Sequence, residues 1–400
     1  MIGATIIAVA FSIAFLGALI RPDSTPNSDN KVLRIANQQP GFEVTILKIR
    51  KNRQINSVFF WDQLLFGGQE IAFVDVPILN YRFVGTKIVV DLFSPNEDLA
   101  TNTDTFRLED VLFPVQESLY SSVENDRLMG ITGDSIVPFF TVSETSRAET
   151  VWDMRKRIEA ENLSQTVFVL GTDRFGRDML SRLMAGTLIS LSIGFIAVFI
   201  ALLIGMTFGA ISGFYGGKID DIIMWFINVV WSVPTVLLVI AITLALGQGF
   251  WQIFVAVGLT MWVEVARVIR GEVISVRETE YIEAGRALGL TNLRLILRHV
   301  LPNVMGSVIV LSASNFAAAI LIESGLSFLG IGLQPPMPSW GSMIKNHYGF
   351  ILTDGAYLAI LPGLAIMLLV LSFMWVGNAI RDAMDRKMAQ EPEIGGVINA

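Results

Sequence analysis

The chain reads as an all-α polytopic membrane protein of six transmembrane helices, interrupted by an inserted extracytoplasmic domain that is mixed and strand-rich. Three observations predict this. Of 400 residues, 52% are apolar and 16% charged, against about a quarter charged in soluble domains. The charge is uneven: residues 21–185 hold 18 of the 29 Lys and Arg and 23 of the 36 Asp and Glu. The remainder, mostly 186–380, is long apolar runs with short polar breaks. The same arithmetic sets limits on function. A net charge of −7 without a basic block disfavours nucleic acid as a partner. The absence of Cys removes disulfides, Cys-ligated zinc, iron–sulfur clusters and thiol catalysis.

Crossing about 30 Å of hydrocarbon takes roughly 20 apolar residues. Residues 2–20 meet that length with no charge before Arg21. A cleaved leader would need a basic N-terminal region and a shorter apolar core, so residues 1–21 read as a retained helix. The missing basic leader points to a start upstream. Further spans fall at about 188–211, 222–246, 251–267, 304–322 and 356–377, the fourth weakened by Glu264 near its end. Pro234 inside the third should kink it, either lining a cavity or fitting neighbours. Between the fourth and fifth spans stand Arg267, Arg270, Arg277, Arg286, Arg294 and Arg298, and the tail carries Arg381, Arg386 and Lys387. Basic short loops mark the cytoplasmic side. Both termini, with 387–400 as a tail, are therefore expected in the cytoplasm and residues 22–185 outside.

That outer segment opens on a linker-like RPDSTPNSDN. Apolar alternation at 42–49, 70–79 and 83–93 predicts strands. Phe59, Phe60, Trp61 and Phe66 are candidate core, and charged 144–163 has the spacing of a solvated helix. The expected insert is 22–165, read chiefly as a packed accessory body, with a ligand-binding role as the alternative.

The most informative stretch is 272–303, EVISVRETEYIEAGRALGLTNLRLILRHVLPN. Helical spacing runs over 273–288, Gly289 is a helix stop, Thr291 can cap a second helix to about His299, and Leu301-Pro302 begins the next span. Ala284, Gly285, Ala287 and Gly289 are small enough to seat a helix in a partner's groove. Glu283 and Arg286 flank them and suit charge-assisted hydrogen bonds across an interface. Composition alone fits a plain interfacial helix with Arg at the headgroups as well. Gly205, Gly209 and Gly213 recur every fourth residue, a pattern that lets membrane helices pack closely. The packing is expected within the chain, with a subunit interface as the alternative.

Other chemistry is thin. Glu264 and Glu323 lie near span ends, where a carboxylate can reach water as readily as mark a pathway. His299 and His347 fall on opposite sides of the membrane, so no His-based metal site is available within one subunit. The phosphate-loop pattern fails at Ile219 after Gly216-Gly217-Lys218, and no Ser/His/Asp arrangement suggests catalysis. The chain therefore cannot bind ATP through such a loop.

With these residues in view, 272–303 resembles the signature loop of binding-protein-dependent ABC importer permeases: Glu283, Ala284, Gly289, Leu301 and Pro302 match, and Gly285 stands in place of a second Ala. GTDRFGRDMLSRL at 171–183, ISGFYGGKID at 211–220 and GLSFLGIGLQPPMPSWG at 325–341 are similar to the oligopeptide/dipeptide/nickel class, in its C-type subunit. The match spans about 171–386, with the permease core at 166–386, while 22–165 departs from the family. The resemblance implies a type I ABC importer permease fold and a coupling helix near 273–290. It implies a homologous second permease, two cytoplasmic ATPases that carry the ATP and Mg, an extracytoplasmic binding protein and short peptides as cargo. No cofactor is implied for this chain. Nickel chelates and glutathione stay open as cargo. A membrane-anchored sensor with 21–185 as its ligand domain and an ion-driven carrier are readings from other classes; the first leaves the coupling segment and the five further spans unexplained, and the second has too few spans and too few buried acids.

Overall fold

The computed structural model describes residues 1–53, 70–95, 102–115, 136–140, 146–247 and 249–389. In chain order, helix α1 is Ile2–Ile20 and strands β1 to β4 are Phe42–Arg50, Phe73–Val84, Lys87–Leu92 and Thr103–Arg107. Helix α2 is Leu108–Leu112, β5 Ile136–Phe140, β6 Ser146–Thr150, α3 Val151–Arg157 and β7 Leu163–Phe168. Then come α4, Met179–Tyr215; α5, Gly217–Trp231; α6, Thr235–Leu246; α7, Phe250–Arg277; and α8, Glu280–Ala287. Helix α9 is Asn292–Leu329, α10 Trp340–His347 and α11 Tyr357–Ala389.

The chain divides into two compact units. The first holds residues 1–14, 186–351 and 356–400, the second 15–185 and 352–355. The second thus ends some twenty residues beyond the expected boundary at 165. The physical reason is β7: it pairs antiparallel with β1, Phe42 opposite Phe168 and Leu47 opposite Leu163, and a cut at 165 would run through it.

Within the second unit the sheet order is β4-β3-β2-β1-β7, and β5 and β6 form a separate pair. Period-two burial at Ile88, Val90 and Leu92 gives β3 one apolar face. That face joins Leu47, Ile78, Leu108, Val111, Met154 and Ile158 in a core beneath α2 and α3. Val44 and Ile46 face the other way, onto Val32, Ile35 and Phe168, so β1 is buried on both sides. The aromatic candidates at 59, 60, 61 and 66 lie outside the described residues. The helix expected over 144–163 is only partly present: 146–150 is a strand, the α-helix covers 151–157, and a wide turn at 158–162 leads into β7. Thr150 starts the helix by accepting a hydrogen bond from the Asp153 backbone N–H at 3.1 Å. The strand before it exists because 136–140, a few residues upstream, pairs antiparallel with it. In the GTDRFGRD segment, Arg177 donates to Asp173 Oδ2 (2.7 Å) and Asp29 Oδ1 (2.8 Å), largely buried.

In the first unit, five helices of the described residues are long and apolar enough to cross a membrane: α1, α4, α7, α9 and α11. A sixth span exists only if α5 and α6 are one, and they meet at 89°. Pro234 therefore breaks the third span outright where a kink was expected. It caps α6 with an extended ψ of 126°, because its ring cannot sit inside a helical turn against the preceding carbonyl. The fourth span outruns its expected end at 267 and continues to Arg277, which leaves Glu264 exposed in mid-helix. Leu301-Pro302 opens the α-helix Leu301–Leu329 with Pro in its first turn, as expected, but it does not open the span. Helix α9 is already under way at 292 and widens into a π-type turn at Ile296–Val300 just before the proline. The extra residue makes room for a ring with no N–H to donate. Glu323 is fully buried and accepts a hydrogen bond from Ser327 Oγ at 2.6 Å, so it does not reach water as a span-end acid would. The core of this unit runs along α4, α7 and α9 through Ile193, Phe254, Val257, Ile269 and Val300.

Candidate functional site

The segment 272–303 comprises the end of α7, the short helix α8 and the start of α9. The single helix expected over 273–288 is interrupted. Helix α7 stops at Arg277, and Thr279 takes an extended conformation (φ −79°, ψ 148°) before α8 begins. Thr279 Oγ1 turns back and donates to the Val276 carbonyl at 2.6 Å, satisfying an acceptor that the ending helix leaves open. Glu280 and Glu283 lie in the first turn of α8 and Arg286 in its last, the arrangement a helix dipole favours.

Gly289 closes the helix with φ +78°. The Gly289 N–H donates to the Arg286 carbonyl at 2.9 Å and the Leu290 N–H to the Gly285 carbonyl at 3.1 Å. This paired 5→2 and 6→1 pattern is a Schellman stop, which requires a left-handed residue that glycine supplies without strain. Thr291 then caps α9, its Oγ1 accepting from the Arg294 N–H at 3.4 Å.

The helix has two distinct faces. Ile282 and Gly285 are buried. A Cβ on Gly285 would stand 2.8 Å from Leu295 Cδ2, so Gly285 is turned inward toward α9, where only the Leu295 side-chain end would have to move. Outward stand Glu280, Glu283, Ala284, Ala287, Leu288 and Gly289. Leu288 is 83% exposed, and Leu293 nearby 65%. An acidic rim, a shallow floor of two alanines and an upright leucine make a surface suited to a partner's cleft. Arg286 is exposed as well, but its guanidinium lies over the Phe214 ring at 5.2 Å, so its charge is engaged within the chain. On the other flank Tyr281 Oη accepts from Asn303 Nδ2 at 2.8 Å.

Sequence reasoning did not single out Leu288, Tyr281 or Phe214. Leu288 carried a signal that could have found it, an apolar residue directly before a glycine stop on a polar segment. Phe214 carried none, since its role depends on a residue 72 positions away.

Gly205, Gly209 and Gly213 line α4 where α7 crosses it. A Cβ on Gly205 would meet Val265 Cβ at 2.5 Å, one on Gly209 the Ala266 carbonyl at 2.6 Å, and one on Gly213 the Arg270 carbonyl at 2.8 Å. The stripe thus faces a helix of the same chain.

In the second unit a cavity of about 360 Å³ is lined in part by Asp23, Lys48, Asp75, Asp178, Ile46 and Phe73. Burial raises the Asp75 and Asp178 carboxyls above their ordinary range, opposed at Asp75 by the Asn30 side chain and at Asp178 by Ser181. Among the described residues no group of three His, Asp or Glu is placed to hold a metal ion. His347, buried, has Nδ1 at 2.8 Å from the Met343 carbonyl.

Comparison with known proteins bears on the same region. The family model described as "Binding-protein-dependent transport system inner membrane component" matches residues 205–390. The dipeptide transport system permease protein DppC of Alkalihalophilus pseudofirmus is 37% identical over 261 residues, covering 65% of this chain and 84% of that protein. The glutathione transport system permease protein GsiD of Pectobacterium atrosepticum is 38% identical over 219 residues, 55% of this chain and 72% of that one. The oligopeptide transport system permease protein OppC of Haemophilus influenzae is 37% identical over 246 residues, 60% and 76% of the two chains.

Proposed function

This chain belongs to the binding-protein-dependent transport system inner membrane components, and from that premise we propose how it works as the permease subunit of an ATP-driven ABC importer. It is a multi-pass membrane protein of five long helices and one bent pair. Beside a homologous second permease it forms the path for short peptides. Relatives named for dipeptide, oligopeptide and glutathione transport support that substrate class, and a glutathione-like peptide is the nearest alternative. A cytoplasmic ATPase docks on α8 of each permease, so ATP and Mg reside on those partners and this chain has no catalysis of its own. An extracytoplasmic binding protein delivers cargo, with the strand-rich unit assisting its docking. Both termini lie in the cytoplasm, on the side of the Arg-rich segment. The sensor reading leaves the exposed face of α8 without a purpose.

The observation that carries the docking is the two-faced geometry of α8: Ile282 and Gly285 held inward, Ala284, Ala287 and Leu288 standing out. Ala284→Trp and Gly289→Arg should each abolish transport while membrane insertion survives, since neither position lies in a spanning helix. Ala284→Trp is the cleaner probe, because Gly289 also supplies the helix stop. Transport measured in vesicles, with co-purification of the ATPases, tests this. Normal transport by Ala284→Trp with normal co-purification would overturn the assignment of α8.

A further inference from the structure

The arginines between the fourth and fifth spans read, in sequence, as a marker of membrane orientation. Four of them have specific employment. Arg270 donates from Nε and Nη2 to the two carboxylate oxygens of Asp220 at 2.6 and 2.5 Å, and Ser212 Oγ donates to the same carboxylate. Arg267, one turn earlier, donates to Asn228 Oδ1 at 2.5 Å and lies 3.6 Å above the Trp231 ring. Arg277 donates to the Gly213 and Phe214 carbonyls at 3.1 and 3.4 Å. Arg286, on α8 itself, covers the Phe214 ring. All these contacts fall on residues 212–231, the end of α4 and the whole length of α5.

Apart from these contacts, α5 meets the unit through the half-buried Ile223, Met224 and Val230 and through Phe226, stacked on Trp262. Among its described residues Ile227 alone is buried. Its N-terminal end is the pair Gly216 and Gly217, at φ +66° and +52°, backbone that a side chain would strain. Its C-terminal end is the 89° break before α6. It is a rigid fifteen-residue rod between two places where backbone angles can change. Apolar packing lets one surface slide on another, whereas a two-pronged guanidinium–carboxylate pair fixes angle as well as distance.

We propose that α5 is a lever: the Asp220–Arg270 pair, with Arg267, makes it follow α7 and α8, so a displacement of α8 turns α5 about Gly216–Gly217 and the 232–234 break. Asp220 and Arg270 are positioning residues, touching neither cargo nor ATPase. The inference rests on the docking role given to α8 above and names the element that receives the movement.

The test uses the assembled complex in proteoliposomes, reading peptide uptake and binding-protein-stimulated ATP hydrolysis together. Asp220→Asn and Arg270→Lys should assemble with the ATPases and keep stimulated hydrolysis within about twofold. Uptake per ATP should fall by roughly tenfold, within the usual range of coupling between sites. The exchange variant, Asp220→Arg with Arg270→Asp, should recover most of that ratio. An unchanged ratio in both single variants would overturn the lever. So would a parallel loss of uptake, hydrolysis and co-purification, which marks a merely structural pair. A wild-type complex that hydrolyses ATP without uptake would instead count against the importer reading, and it would show before any variant is made.

Discussion

Not even a methyl group fits the α4–α7 crossing at three positions without a shift of the neighbouring chain. At Gly205 even a Cβ would stand 2.5 Å from Val265 Cβ and 2.7 Å from the Trp262 carbonyl, and the carbonyl cannot move away as a flexible side chain could. Gly205→Val should therefore cost about 1–3 kcal/mol through overpacking, read as a lower unfolding midpoint in detergent, with Gly205→Ala intermediate. A second residue-scale expectation concerns Glu109, which is buried and whose Oε2 has no hydrogen-bond partner among the described residues. Burial raises its carboxyl above the ordinary value, opposed by a backbone hydrogen bond. A raised acid favours the fold fully at pH below its unfolded value, and that contribution is lost as pH rises through the folded value. Glu109→Gln removes the loss. The variant should melt above the wild type at neutral pH, and the difference should vanish on acidification; an equal gap at both pH values would refute the cause given.

At the scale of elements, α8 shows how much a short helix owes to its ends. Gly289 and Thr291 are legible in sequence as stop and cap. The break at Thr279 is hidden, because Glu278 and Thr279 have no strong helix-breaking character and a run of good helix formers continues on either side. Gly289→Ala keeps the exposed face but forces a side chain into left-handed backbone, at about 1–2 kcal/mol. Amide exchange of 280–288 should quicken accordingly while that of 253–269 stays unchanged; equal protection in the variant would mean that the stop does not stabilise α8. The same distinction separates 151–157, which carries its own N-cap, from 146–150, which is a strand because 136–140 lies antiparallel beside it. Pro234 was legible as a disturbance, but the angle of the break was not, since it depends on where α7 offers its flank.

For the whole molecule, orientation is the expectation with the widest consequences, and the absence of Cys makes it measurable without background. Cys placed at the exposed Trp152 should react with a membrane-impermeant thiol reagent applied to spheroplasts, and Cys at the exposed Leu288 should react only after permeabilisation. The reverse pattern would invert the topology derived from the arginines. What the sequence determined by itself was the class: apolar runs of spanning length, a charged insertion, an alternating strand at 42–49, and a signature segment whose resemblance named the family; the run at 83–93 proved to be two strands about the Gly85-Thr86 turn. These are local or compositional quantities, because burial in lipid or in a sheet selects residue types one window at a time. Tertiary structure alone decided which way each side chain of that segment points, that the Gly205–Gly209–Gly213 stripe meets α7, and that β7 closes onto β1. It alone gave the arginines their partners, since Asp220 and Arg270 are 50 residues apart. A contact between distant residues leaves no periodicity in the chain; only the close approach of two backbones creates it.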